Sequence, residues 1–254
     1  MRPTTKSLLP AFLLTLSSVA LMPSCAENNS SLFVEGVMQL DSSTCVAKPD
    51  SSAILLAGGV MDVAFRTSYT AFVLVGNQLT QRGSREQLRT ETSRITLRGA
   101  EVTLTTIDGK VLGNYSTVGT GFVNASAGDV PAYAAMSVDI IPSALGTSAA
   151  VTGAGTVLAK IRVFGDTLGN KAVTSSQLDF PIRICEGCLV GYPADARDPA
   201  AAGGAYMCTS SASTTTSTDE PPCVLGQDES FSCTECSAAY ELCRDPSKNP
   251  AYGP

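Results

Sequence analysis

The sequence predicts an all-β protein: an antiparallel β-sandwich followed by a small, disulfide-rich, loop-dominated C-terminal region. Three observations predict it. From Leu32 to Ile184, short runs rich in Val, Ile, Thr, Phe and Tyr are separated by Gly, Asn, Asp and Pro at intervals of about ten residues. Within the clearest runs apolar and polar residues alternate one by one, the period of a strand with one buried face. At Cys185 the composition changes: seven of the nine cysteines lie between there and Cys243, and Leu, Ile and Val nearly vanish.

Candidate strands in chain order are Leu32–Leu40, Ala53–Leu56, Val60–Phe65, Thr70–Val75, Arg94–Leu97, Glu101–Thr106, Thr120–Asn124, Ala134–Ile141, Thr156–Phe164 and Ser176–Cys185. Val102, Leu104 and Thr106 face one way, Thr103 and Thr105 the other. In the next clear case Ala159, Ile161 and Val163 point inward while Lys160 and Arg162 point out. Leu178, Phe180, Ile182 and Ile184 share an inward face, and Pro181, which forfeits a ladder bond, places that strand on an edge. Asp108-Gly109 is a tight-turn pair joining Glu101–Thr106 to Lys110–Leu112. No stretch has convincing helical periodicity, although Gln81–Arg98 could supply a turn or two, with Glu86 and Arg89 three apart. Residues 32–184 therefore read as a two-layer sandwich of the immunoglobulin-like kind, large enough to bury its own core.

The first residues are of another kind. Arg2 and Lys6 precede an uncharged, mostly apolar run from Ser7 to Leu21 that is short for a bilayer span and ends in small residues, as an export signal does. Met22-Pro23-Ser24-Cys25 resembles the bacterial lipobox, departing from it at Met22 and Pro23. That resemblance implies a signal peptide over residues 1–24, cleavage before Cys25, a diacylglycerol thioether on its sulfur and an acyl chain such as palmitate on its amino group. Several chains anchor stably where one binds marginally. A plain secretory cleavage near Cys25 is the other reading. Cysteine parity favours lipidation, because nine is odd and removing Cys25 leaves eight that can all pair. Ala26 in place of an aspartate points to the outer membrane, facing either the periplasm or the outside. Residues 25–31 form a polar tether.

Composition excludes several functions. With no histidine there is no Ser-His-Asp or Cys-His nucleophile pair and no imidazole metal ligand. Once Arg2 and Lys6 leave with the signal, 15 basic residues face 23 acidic ones, a net charge of −8, which repels nucleic acid and anionic headgroups. Signatures of Gly-x-Ser-x-Gly, Ser-x-x-Lys, P-loop and His-Glu-x-x-His type are absent. The uncharged run Ile140–Ala159 is no second anchor: nine of its twenty residues are Pro, Gly, Ser or Thr, and it reads as strand end, loop and strand start.

The cysteines carry the strongest signal. Cys185-Glu186-Gly187-Cys188 and Cys233-Thr234-Glu235-Cys236 could present four thiolates to zinc. Their 44-residue separation is long for that, and Cys45, Cys208, Cys223 and Cys243 would be left without a role. Export places the chain where thiols are oxidised, so four disulfides are expected and no metal or cofactor. A catalytic dithiol wants a helix N-terminus, and these surroundings read as strand end and loop. Cys45 lies 140 residues before its nearest fellow, so it must clamp the tail cluster, residues 185–254, onto the sandwich. Its expected partner is Cys185 or Cys188, the connectivity otherwise being open among 105 pairings.

Two further clusters have bland readings. Arg82, Arg85, Arg89, Arg94 and Arg98, tempered by Glu86 and Glu91, form an anion site or, more simply, a solvated loop. Asp129, Asp139, Asp166 and Asp179 form no calcium loop and read as turn formers. The sequons at Asn114 and Asn124 carry little weight in a bacterial lipoprotein.

Phe180-Pro181-Ile182-Arg183-Ile184-Cys185-Glu186-Gly187-Cys188-Leu189-Val190, with Pro222-Cys223-Val224-Leu225-Gly226-Gln227-Asp228, resembles cysteine-rich lipoproteins of predatory soil bacteria. It implies location and architecture, and no catalytic residue. The expectation is a lipid-anchored, non-enzymatic envelope protein that binds an envelope protein or glycan or stiffens the envelope. The competing expectation is an exported enzyme or dithiol or metal protein using the Cys-x-x-Cys elements.

Overall fold

The structure, a computed structural model, describes residues 31–84, 86, 88–192, 222–232, 240–244 and 248–252. Cys25, Arg85, Cys208, Cys233 and Cys236 lie outside the described residues, as do the expected signal peptide and the expected tether up to Ser30. The all-β expectation holds. The strands are β1 (Leu32–Met38), β2 (Leu55–Leu56), β3 (Gly59–Asp62), β4 (Tyr69–Asn77), β5 (Ile95–Thr106), β6 (Val111–Val123), β7 (Ala132–Ile141), β8 (Thr156–Thr167), β9 (Ala172–Thr174), β10 (Leu178–Cys185), β11 (Val190–Gly191) and β12 (Phe231–Ser232).

They form a four-stranded sheet in the order β2-β1-β4-β7 and a six-stranded sheet in the order β3-β10-β8-β5-β6, with β9 beside β8. Pairing is antiparallel except for β3 with β10 in the large sheet and β11 with β12. One hydrophobic core joins both sheets, with Leu32, Val37, Val73 and Val75 from the small sheet meeting Val102, Leu104, Ile161, Val163, Phe180 and Ile182 from the large one. Alternation generates this core. In β8, Val157, Ala159, Ile161 and Val163 are buried while Lys160 is half-buried and Arg162 exposed. Burying one such aliphatic side chain contributes about 1.5–3 kcal/mol, which is why register is firmly set.

Several expectations need correction. Arg94–Leu97 and Glu101–Thr106 are one strand, β5, continued through an irregularity between Leu97 and Gly99. Lys110–Leu112 and Thr120–Asn124 likewise belong to one long strand, β6, whose middle lacks large alternating side chains. Asp108-Gly109 does close this hairpin: Gly109 holds φ +85° and the Thr106 N–H donates to Lys110 O. Pro181 does not mark an edge. The Ile184 N–H points to Gly155 beside β8, so alternation turns the missing Pro181 donor toward β3, whose pairing starts one residue later at Ile182 and Gly59.

The loop between Ile141 and Thr156 is also more regular than expected. It carries two single-turn helices, α1 (Ser143–Gly146) and α2 (Ala149–Thr152). Pro142 precedes the first, where its missing N–H costs nothing, and Ser148 caps the second by accepting the Val151 N–H. No helix occurs among the described residues of 81–98. There the backbone groups of Ser84 and Arg89 pair with each other instead.

Candidate functional site

Two constructions at one end of the sandwich bring together most of the polar groups buried there, and both use the C-terminal region. The first is a strap, Pro222–Glu229, laid across the corner where the sheets part. Against β3 of the large sheet, the Asp228 N–H donates to Val60 O at 3.0 Å and the Asp62 N–H donates to Gly226 O at 2.9 Å. Asp228 Oδ1 accepts the Val60 N–H at 2.8 Å. Against β4 of the small sheet, Gln227 Oε1 accepts the Thr70 N–H at 3.1 Å while its Nε2 donates to Thr70 O at 2.8 Å. The Gln227 amide thus imitates a peptide unit of a neighbouring strand. Tyr69 donates its buried hydroxyl to both oxygens of Asp228.

Asp228 takes φ +62°, a left-handed conformation that aspartate tolerates better than most residues. Burial pushes its carboxyl above the usual value, against the opposing pull of the Val60 N–H and the Tyr69 hydroxyl. Burial, and next the Asp228 charge, push the Tyr69 phenol far above its usual range. The strap is fastened by a disulfide between Cys45 and Cys223, whose Cα atoms are 5.2 Å apart. A cavity of about 50 Å³ lies beneath it, lined by Val37, Met38, Leu56, Phe72, Val224 and Gln227 among others.

The second construction is the turn at the end of β10. Cys185 and Cys188 are bonded to each other, which overturns the expected pairing of Cys45 with either of them. The reason is positional: β10 carries Cys185 alongside Asp62 of β3, while the loop bearing Cys45 faces the strap. Asp62, fully buried, organises the turn. Its Oδ1 accepts the Gly187 N–H at 2.7 Å and the Ala64 N–H at 3.1 Å, and its Oδ2 accepts the Leu189 N–H at 3.0 Å. Gly187 holds φ +74°, and a side chain there would meet Asn249 Oδ1. Buried Asn249 donates to Gly187 O at 2.9 Å and to the Tyr192 hydroxyl at 3.2 Å.

Asp62, Cys185 and Cys188 are the one group of metal-ligand type among the described residues, their ligand atoms lying within 4.8 Å of one another. In the disulfide the sulfurs are bonded to each other and offer no thiolate, so the trio is not a metal set in this state. Cys243 is also disulfide-bonded. Close by, the Phe65 ring meets Phe231 and Tyr240 edge-on, at 4.9 and 5.6 Å, beside buried Val190 and Cys243. The tail therefore has a small aromatic core of its own, built with a sandwich residue, in place of the missing aliphatic side chains.

The remaining candidates do not converge. Arg94 lies over the Phe122 ring at 3.6 Å, and Arg98 pairs with Asp166 at 3.2 Å. The Arg82 and Gly83 N–H groups donate to Glu91, whose carboxyl these and other backbone donors hold below its usual range despite desolvation, the largest single influence. Asp139 accepts from Thr70 Oγ1 and Asp179 from Gln177 Nε2. Asp129 sits exposed in a turn, and the four aspartates form no metal-ligand group among the described residues. Sequence reasoning missed Asp62, Tyr69, Gln227, Asp228 and Asn249 as a set. The available signal was Asp62 itself, a lone charge inside the apolar run Gly59-Val60-Met61-Asp62-Val63-Ala64-Phe65. No protein-family model matches the chain, and no curated protein matches it either.

Proposed function

We propose that this is a lipid-anchored, disulfide-closed cell-envelope protein with a non-enzymatic role, binding a partner or bracing the envelope. The strap carries the reading. Its side chains engage both sheets at the same corner, and the Cys45–Cys223 bond locks it across 178 residues. A long-range disulfide of this kind belongs to an oxidising compartment. The buried polar groups around it are spent on one another and on backbone donors, an arrangement that serves rigidity rather than turnover. The lipobox-like stretch Met22–Cys25 supports attachment through a lipid on Cys25. The binding surface faces an envelope protein or glycan, and the net negative charge disfavours nucleic acid.

Expression of the full chain in a Gram-negative host fed a radiolabelled fatty acid tests the reading. The wild type is expected to carry label and partition into detergent, and Cys25→Ser to do neither. An unlabelled wild type, or free thiols at Cys45 and Cys223 in unreduced denatured protein, would remove its basis.

A further inference from the structure

We infer that Cys185–Cys188 is an exchangeable disulfide, a two-electron site that reacts through Cys188 with the dithiol or disulfide of a partner protein. It goes beyond the envelope role proposed above and does not depend on the lipid anchor.

The bond is redundant with the non-covalent clamp around it. It closes a ring between residues three apart in the chain, and the same turn is held by the Asp62 carboxylate at Gly187 and Leu189 and by Asn249 at Gly187 O. Opening it leaves those bonds and the β3–β10 pairing in place, so the dithiol state keeps the disulfide state's backbone. Small local rearrangement is what allows a disulfide to cycle without unfolding its protein. Access is also provided. Both sulfur-bearing residues are half-buried, and Glu186 between them is exposed, so an incoming thiolate can approach the tip of the turn.

The two sulfurs differ in setting. Cys185 is the last residue of β10, and its Sγ lies 3.7 Å from Met61 O, an acceptor ready for a thiol proton. Cys188 lies beyond the strand, which makes it the sulfur attacked. A partner thiolate bonds to Cys188 Sγ, the Cys185–Cys188 bond breaks, and Cys185 leaves with the electron pair and takes a proton from water. The partner's second thiolate then attacks its own sulfur in the mixed disulfide, and Cys188 leaves and is protonated. The partner dithiol has become a disulfide, and two electrons and two protons now reside on Cys185 and Cys188. The reverse sequence passes them to a partner disulfide. The Asp62 carboxylate beside both sulfurs disfavours a thiolate there and slows attack by the reduced pair.

Native, oxidised full-length protein titrated with dithiothreitol, with maleimide trapping and peptide mass mapping, tests the inference. Cys185 and Cys188 are expected to open together at about tenfold lower reductant than Cys45–Cys223, to reclose with oxidised glutathione, and to leave the circular dichroism of the sheets unchanged. Opening only together with Cys45–Cys223, or only with loss of the sheet signal, would overturn it. Cys185→Ser is expected to form a mixed disulfide with glutathione about tenfold faster than Cys188→Ser. Equal or reversed rates overturn the assignment to Cys188. Loss of lipid labelling affects none of these outcomes.

Discussion

The hydroxyl of Tyr69 donates to both carboxylate oxygens of Asp228, at 2.9 and 2.8 Å, joining residues 159 apart in the chain. Tyr69 belongs to the small sheet, while Asp228 lies on a strap hydrogen-bonded to β3 of the large one. The pair therefore bridges the two layers at the corner where strand pairing between them is impossible.

This pair sets a pH dependence. Burial raises the folded-state pKa of Asp228 above the ordinary 3.8. Its contribution to stability is thus fully present below that value and is lost as pH rises through the raised folded value. Asp228→Asn keeps an acceptor for Val60 and tolerates the left-handed backbone, but cannot ionise. Urea midpoints measured from pH 3 upward are expected to decline more steeply in the wild type than in the variant. Parallel curves would show that Asp228 does not titrate in this way.

The two described disulfides should differ in mechanical weight. In the chain-entropy account, closing the loop from Cys45 to Cys223 stabilises by roughly 5 kcal/mol and closing the Cys185–Cys188 turn by about 2 kcal/mol or less. Replacing Cys45 and Cys223 together by alanine is expected to cost about 3–5 kcal/mol in denaturant titration, well above the same change at Cys185 and Cys188. Similar losses for both pairs would contradict this.

Glycines separate two kinds of constraint. A Cβ on Gly146 would lie 1.8 Å from the Thr67 carbonyl oxygen, so Gly146→Ala must displace backbone and is expected to cost about 2–3 kcal/mol. A Cβ on Gly109 meets nothing within 4 Å, yet φ is +85°, so Gly109→Ala costs about 1–2 kcal/mol through conformation alone. Gly109→Asn should recover most of that loss, and Gly146→Asn none. Thermal melts of the four variants give the order directly.

Tyr115 donates its hydroxyl to Ile140 O, tying β6 to β7 where the sheet edges meet. Tyr115→Phe is expected to lower stability by about 1 kcal/mol. Burial also pushes the Tyr115 and Tyr69 phenols above the usual range. Ultraviolet titration of the folded protein to pH 11 should leave both un-ionised, and their ionisation with the fold intact would argue that these sites are open to water.

Much of the sandwich was legible because strand patterning is local. Lys160 and Arg162 between Ala159, Ile161 and Val163 reveal which face of β8 is buried without knowledge of any neighbour. Legibility failed where side chains carry no pattern. The middle of β6, Gly113-Asn114-Tyr115-Ser116-Thr117-Val118-Gly119, is a strand because β5 supplies its ladder, and its composition reads as loop. Pro181 misled for a related reason, since whether a strand end is an edge depends on where another strand begins.

At the candidate site the division is sharper. The cysteine count and spacing pointed to disulfides and required that Cys45 reach the tail. Which tail cysteine it meets depended on β3 and β10 lying in parallel, which consumes Cys185 and Cys188 locally and leaves Cys223 beside the Cys45 loop. The roles of Asp62, Gln227 and Asp228 were undetermined until distant backbone donors were brought to them. From the chain alone came the β periodicity and the oxidised cysteine chemistry, each a matter of composition or short-range spacing. Tertiary structure alone decided the pairings and the strap, because a buried carboxylate or a disulfide is stable only where folding places its partner within bonding distance.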